Sequence, residues 1–483
     1  MTSVVKEQEP ALWHDDLGQL RQVLAEVEAQ PLPPVGEVVV VNPTLRLLNL
    51  GWQGLADLSQ GRGAAAAISP GDELVLVWRH AVSGRLCCRP ANSKDLLALK
   101  LISEGLDLEE TAKAQGVPVG QLDLALEHGE DHGLLLVPEP RLRRPDSFFS
   151  AAPELAADYQ VTPAFTLQWH ITQTCDLHCK HCYDRTARPD VTLDQAHAIL
   201  DDFRRFCKQR HVYGQVTFTG GNPLLHPHFS KIYQGAAQRG LRTAILGNPA
   251  SRAKVAELQE VQPLAFYQVS LEGLAEHNDE IRGAGHFQRV LAFLEVLREL
   301  KVRSMVMLTL TRANCDQVLP LAELLRDKVD YFTFNRLAMV GEGAALASAP
   351  VADFPEFLRA YRQAAASNPI MGLKDNFFNL QGIEDGDKLR GGCAGYGCGA
   401  AFNFVSLLPE GEVHACRKFP SPLGNILENS LAEIYDSPLA EKYRQGPEEC
   451  QGCKVRPVCG GCLAVSHGLG QAVFSKRDPY CFL

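Results

Sequence analysis

Three cysteines crowd one short stretch, "ITQTCDLHCKHCYDRT", where Cys175, Cys179 and Cys182 follow the order C-x3-C-x2-C. Grouped thiols in a chain without an export signal read as metal ligands or redox groups, because disulfides rarely persist in a reducing compartment. A four-iron cluster takes one protein ligand per iron. Three thiolates so close together cover three corners of such a cluster and leave one iron open. An open position can chelate a small molecule, the same logic that separates catalytic from structural zinc. A zinc half-site or simple buried thiols are the rival readings. Zinc ligands usually pair as C-x2-C, and an x3 gap followed by an x2 gap departs from that habit.

Eight more cysteines follow Gly392: Cys393, Cys398, Cys416, Cys450, Cys453, Cys459, Cys462 and Cys481. Within them "CQGCKVRPVCGGC" has the spacing C-x2-C-x5-C-x2-C. Eight thiolates can ligate two four-iron clusters completely, with none left over. Two zinc ribbons are the competing reading of such pairs. A fully ligated cluster has no position for a substrate, so its expected work is electron transfer. Arg417 and Lys418 stand directly after Cys416, a cationic pair that suits an anionic group or a solvated turn. Of the remaining cysteines, Cys207 and Cys315 read as core residues, and Cys87 and Cys88 face opposite sides of one strand.

The elements that must hold the first motif are strands alternating with helices. "FTLQWHI", "QVTFTGG", "RTAILGN", "AFYQVSLEG", "SMVMLTLT" and "YFTFNRL" read as six strands, with helical stretches such as "LDQAHAILDDFRRFCKQR" between them. Such alternation makes βαβ units and a parallel sheet, and sites in parallel α/β barrels lie at the C-terminal strand ends. The cysteine loop follows the first strand, at such an end. Further upstream "DELVLVW" and "RLCCR" form a hairpin, three helices follow, and "LLLVP" closes the unit. Ser93 and Asp107 are the expected helix caps, with Gly105 and Gly116 as stops. The expected fold is α/β: a partial (β/α)6 parallel barrel with an N-terminal winged-helix-like domain and a C-terminal cysteine-rich iron–sulfur extension. Its expected boundaries are 1–140 for the winged helix, 141–162 for a solvated linker, 163–345 for the barrel, 346–391 for a connecting helical segment and 392–483 for the extension.

C-x3-C-x2-C on the loop after the first strand of such a barrel resembles the radical S-adenosylmethionine (SAM) superfamily. The resemblance implies a 4Fe-4S cluster on Cys175, Cys179 and Cys182 whose open iron binds the amino and carboxylate groups of SAM. It implies one-electron cleavage of the sulfonium to methionine and a 5′-deoxyadenosyl radical that removes a hydrogen atom from the substrate. Tyr183 would then lie near the adenine. "TGGNP" resembles the glycine-rich motif that receives the methionyl amino group, which implicates Gly220, Gly221, Asn222 and Pro223. The family usually has Glu where Asn222 stands. "SLEG", with Ser270 and Glu272, resembles the segment that bonds the ribose or carboxylate. Asn248, Asn314 and Arg336, also at strand ends, complete the candidate SAM contacts. The last eight cysteines resemble the SPASM extension of peptide- and protein-maturing radical enzymes, though the usual final gap is one residue longer. That resemblance implies two auxiliary 4Fe-4S clusters, one on Cys393, Cys398, Cys416 and Cys462 and the other on Cys450, Cys453, Cys459 and Cys481. Relatives that oxidise sulfatases carry an Asp base directly after the position of Cys416; Arg417 cannot accept a proton there.

The winged-helix pattern over residues 72–138 resembles small peptide-recognition domains of peptide-modifying enzymes. A DNA-binding winged helix is disfavoured, since its second and third helices carry Asp107, Glu109, Glu110, Asp123, Glu127 and Glu130 against Lys113. The whole chain has a formal net charge of −10, which also argues against nucleic acid. We find no apolar run of membrane-spanning length, and "MTSVVKEQEPALWHDD" lacks the apolar core of a secretory signal. The expectation is a cytoplasmic radical SAM maturase acting on a ribosomally made peptide, similar in its order of parts to the selenobiotic-type maturases. Its partners would be the precursor peptide, held by its leader on the N-terminal domain, and an electron donor such as flavodoxin or ferredoxin. A radical enzyme acting on a protein or small molecule, and a non-catalytic iron–sulfur or zinc electron-transfer protein, are the alternatives.

Overall fold

The structure, a computed structural model, describes residues 13–32, 36, 38–117 and 119–483. Most of the opening stretch on which the expectation about export rests lies outside the described residues. The chain divides into two compact units, Met1–Glu139 and Pro140–Leu483.

In the first unit the expected hairpin is part of a three-stranded antiparallel sheet of Arg46–Gln53, Ser69–Arg79 and Leu86–Pro90. The three helices are Ser93–Ser103, Leu108–Gln115 and Val119–Asp131, and Val40–Val41 pairs with the closing strand Leu135–Leu136. Asp107 caps the second helix and Gly116 ends it in the left-handed region. The first helix is capped one residue earlier than expected. Asn92 accepts from the Lys94 and Asp95 amides, and the Asp95 carboxylate accepts from the Asn92 amide. A helix over Trp13–Glu28 packs Leu17, Leu20 and Val27 into this unit's core; the sequence pattern did not single it out.

The second unit is built on six parallel strands: β1 (Ala164–Thr172), β2 (Tyr213–Gly220), β3 (Arg242–Leu246), β4 (Tyr267–Ser270), β5 (Ser304–Leu310) and β6 (Tyr331–Arg336). They lie in sequential order, β1 beside β2 through to β6. Cover on both faces explains why strands such as β2 bury four consecutive residues, Val216–Thr219. The helix Leu193–Arg210 starts at a Thr192–Gln195 capping box and seats Phe203 and Phe206 against Phe165 of β1. The sheet continues past β1. Strand β7 (Phe404–Leu407) adds in parallel to β1, and β8 (Glu412–His414) and β9 (Pro422–Asn425) add antiparallel. The cysteine-rich extension is thus hydrogen-bonded into the sheet that carries the first cysteine loop.

Residues 141–162, expected to be solvated, are packed. Leu142, Arg144, Phe148, Phe149 and Thr162 are buried. The Arg144 guanidinium donates to the carbonyls of Pro457 (2.9 Å) and Cys398 (3.1 Å) and lies 4.4 Å from the Phe148 and Phe402 rings. A basic run suggests solvent, but a planar guanidinium is weakly hydrated and pairs well with aromatic faces and carbonyls. Residues 346–391 contain the helices Phe354–Ala365 and Phe378–Asp385.

Candidate functional site

The loop leaving β1 brings Cys175, Cys179 and Cys182 to the wall of one cavity of about 330 Å³. Its other walls are the C-terminal ends of neighbouring strands: Gly220 and Gly221 after β2, Asn248 after β3, Ser270 of β4 and Arg336 of β6. Two glycines are needed where β2 meets this loop. A Cβ on Gly220, whose φ is +127°, would sit 2.2 Å from the Thr172 carbonyl oxygen. One on Gly221 would sit 2.3 Å from that of Thr174. The closeness lets the Gly221 and Asn222 amides donate to the Thr172 and Thr174 carbonyls, each at 2.8 Å, and so tie the cysteine loop to β2.

Asn222 does not line the cavity; its amide donates to Asp176 Oδ1 at 2.9 Å. Asn248 donates to the same oxygen at 2.6 Å and lies 3.6 Å from Cys175 Sγ. The loop thus carries its own carboxylate beside the first cysteine, and a Glu at position 222 would face it with like charge. Asp176 was in plain view inside the cysteine motif, but spacing says nothing of its partners. Pro223 is buried and opens the turn after Asn222.

Glu272 is buried and its carboxylate is fully engaged. Oε1 accepts from Arg282 at 2.6 and 2.9 Å and lies 3.3 Å from His181, while Oε2 accepts from the Thr309 amide at 2.8 Å. Burial works to raise this carboxyl, yet the His181 and Arg282 charges outweigh it and hold Glu272 below the ordinary carboxylate range. Arg282 also directs a nitrogen to Cys179 Sγ at 3.7 Å. Glu272 therefore positions an arginine against the cysteine loop, and Arg282 lines the cavity where Glu272 does not. Asn314 bridges the carbonyls of Glu272 (2.8 Å) and Thr309 (2.9 Å) behind the wall. Arg336 reaches the cavity edge, but its guanidinium is held by Asp375 at 2.9 Å and Asp478 at 2.9 and 3.0 Å.

Tyr183 lines the cavity with its hydroxyl 3.2 Å from His170 Nε2. Burial first, and then the Arg417 charge, push the His170 imidazole down to about 3, so it is neutral and can pair with the phenol. Arg417 lies 5.8 Å from the Tyr183 ring centre and donates to Thr219 Oγ1 at 3.1 Å.

The eight later cysteines separate into two sets. Cys393, Cys398, Cys416 and Cys462 line a second cavity of about 290 Å³. Cys450, Cys453, Cys459 and Cys481 surround a small cleft farther along the extension. The first and second cavities share Leu246, Gln268, Met307, Asn335, Arg336, Arg417 and Lys418, so they adjoin. Lys374, which no motif marked, donates to Cys393 Sγ at 3.2 Å. No cysteine is in a disulfide. Among the described residues, no three His, Cys, Asp or Glu side chains converge as the ligands of one ion do. Free thiols in sets of three, four and four lining these cavities fit iron–sulfur clusters.

Comparison with known proteins agrees with that donor set. Residues 169–325 match the radical SAM superfamily, and residues 398–462 match SPASM, an iron–sulfur cluster-binding domain. The AdoMet-dependent heme synthase of Methanosarcina barkeri (strain Fusaro / DSM 804) is 27% identical over 345 residues, which are 65% of this chain and 95% of that one. The mycofactocin maturase MftC of Mycolicibacterium smegmatis (strain ATCC 700084 / mc(2)155) is 29% identical over 338 residues, covering 65% of this chain and 82% of that one. The crystal structure of Streptococcus suis SuiB bound to precursor peptide SuiA shares the fold, with a TM-score of 0.52 at 16% identity over 85% of this chain and 97% of that one. The chain carries a radical SAM domain and a SPASM domain. The first domain implies SAM and a 4Fe-4S cluster, and the second implies auxiliary iron–sulfur clusters. Among the described residues no helix is long and apolar enough to cross a membrane.

Proposed function

We propose that this chain is a cytoplasmic radical SAM enzyme that modifies a ribosomally made precursor peptide, by hydrogen abstraction followed by oxidation or by a cross-link such as a thioether. The observation that carries the reading is the contact between two cavities, one walled by three thiols and the other by four. Cys175, Cys179 and Cys182 would hold the cluster, which with SAM bound would supply the radical chemistry. Tyr183, Gly220, Gly221, Asn248 and Ser270 form the walls that seat SAM. Asn222, Pro223, Glu272, Asn314 and Arg336 act from behind, fixing the loop and the strand ends. Cys393, Cys398, Cys416 and Cys462 hold the nearer auxiliary cluster, and Cys450, Cys453, Cys459 and Cys481 the farther one. A substrate in the joint cavity would lie between the first thiol set and the nearer later set, and a cluster held by the nearer set would supply an electron acceptor there.

The peptide substrate is supported by the helical first unit, which would hold the leader, and by the peptide maturases among the similar proteins. A small molecule is the second reading, favoured by the likeness to a heme synthase. A reduced donor such as flavodoxin or ferredoxin would supply the electron. The test is anaerobic reconstitution of the full chain with SAM and a reductant. We expect about twelve irons per chain, four for each of three clusters, and formation of 5′-deoxyadenosine. Iron near zero with bound zinc, or no 5′-deoxyadenosine, refutes the reading.

A further inference from the structure

Four of the cations that line the two cavities differ in what they answer. Lys374 donates to Cys393 Sγ at 3.2 Å. The thiols of Cys393, Cys462 and Cys416 and the Lys374 ammonium lie around the Lys418 ammonium. Both lysines thus face the second thiol set. Arg336 is neutralised by Asp375 and Asp478. Arg417 has none of these. Among the described residues no carboxylate lies within ion-pair distance of it, and its contacts are the Thr219 hydroxyl and the face of Tyr183. It lines both cavities. Other cavity-wall carboxylates are taken: Asp184 by Arg188 and Gln173, Asp375 by Arg336. A half-buried guanidinium with one neutral hydrogen-bond acceptor keeps several N–H groups for a ligand, and its fork matches a carboxylate.

We propose that Arg417 is the substrate anchor, and that the substrate presents a carboxylate at the junction of the two cavities, beside the bond that reacts. This rests on the substrate lying in the joint cavity, as proposed above, and it narrows the substrate to one bearing a carboxylate near its reactive C–H. In a peptide the group is an acidic side chain or the C-terminus.

The probes are three short peptides: acetyl-Gly-Glu-Gly-amide, acetyl-Gly-Gln-Gly-amide and acetyl-Gly-Gly-Gly with a free C-terminus. Each is titrated calorimetrically into the reconstituted, SAM-bound full chain. We expect one or both carboxylate peptides to bind at least about tenfold more tightly than the neutral one, the size of a charge-assisted bidentate pair partly exposed to water. Preference for the first assigns a side chain, and preference for the last assigns the terminus. Arg417→Gln should erase the discrimination, Arg417→Lys should keep part of it, and Lys418→Gln should preserve it. Equal binding of all three by the wild type, or discrimination that survives in Arg417→Gln, overturns the anchor. A wild type that discriminates but forms no 5′-deoxyadenosine leaves the anchor standing and refutes the radical reading, so the two failures are separable.

Discussion

The two cysteine regions are assembled in opposite ways. Cys175, Cys179 and Cys182 come from one loop after one strand, and Cys175 is exposed. The C-terminal sets are woven together. One draws on Cys393 and Cys398 before β7, Cys416 after β8 and Cys462 at the start of the helix Leu463–Gly468. The other takes Cys450, Cys453 and Cys459 from between those positions and Cys481 from beyond them. A local loop can lose its thiols and leave the sheet intact. The farther set is part of the core, with Cys459 buried and Cys453 and Cys481 packed against it, while in the nearer set Cys393 is exposed as Cys175 is. The difference suits the two tasks proposed above, since an open corner needs access and a closed electron carrier needs rigidity.

The largest effect comes from breaking the local side of this contrast. With Cys175, Cys179 and Cys182 all changed to Ala, 5′-deoxyadenosine formation should fall to the level of a protein-free control, and iron should drop by about four per chain. The melting temperature of the metal-free chain should barely move. Cys459→Ala should lower iron by a similar amount and also destabilise the metal-free fold, because a buried side chain is truncated. If the triple variant unfolds and Cys459→Ala does not, the local-against-interleaved distinction is wrong.

A second, smaller effect sharpens how the local loop is held. Glu272→Gln removes the charge that balances Arg282 in a buried setting. Losing one partner of a buried ion pair costs about 3–5 kcal/mol. Arg282→Met combined with Glu272→Leu should cost less than Glu272→Gln, because no charge is left stranded. Denaturant unfolding of the metal-free chain measures both. Additive single losses in the double variant would show that the pair does not act as a unit.

The parallel sheet was legible because period and order are local signals. The six strand segments, and caps such as Thr192 and Asp107, are visible in the residues that form them. The first cysteine loop was legible for the same reason. The grouping of the last eight cysteines was not in their spacing; it came only from family resemblance, because interleaving depends on β7, β8 and β9 joining β1. Glu272 illustrates the other limit. Its place at the end of β4 was readable, but Arg282 approaches from a separate helix, so the sequence suggested a ligand contact where the structure has an internal ion pair. Arg144 failed in the opposite sense, a basic residue in a presumed linker whose carbonyl partners come from the far end of the chain.

The smallest effect lies in the first unit and separates it from the cysteine-bearing one. Glu130, on the helix Val119–Asp131, is raised from its ordinary 4.5 to about 7, first by burial and then by the neighbouring Asp131 charge. The folded state therefore holds this proton more tightly than the unfolded chain does. Below pH 4.5 both states are protonated and the contribution is fully present; as pH rises from there through about 7 it is lost. The first unit should lose stability over that interval, and Glu130→Gln, which cannot ionise, should flatten the slope. Trp13, Trp52 and Trp78 all lie in this unit, so tryptophan fluorescence during urea unfolding at successive pH values reads it while Trp169 reports the other. A slope that persists unchanged in the Gln variant would assign the pH dependence to another group.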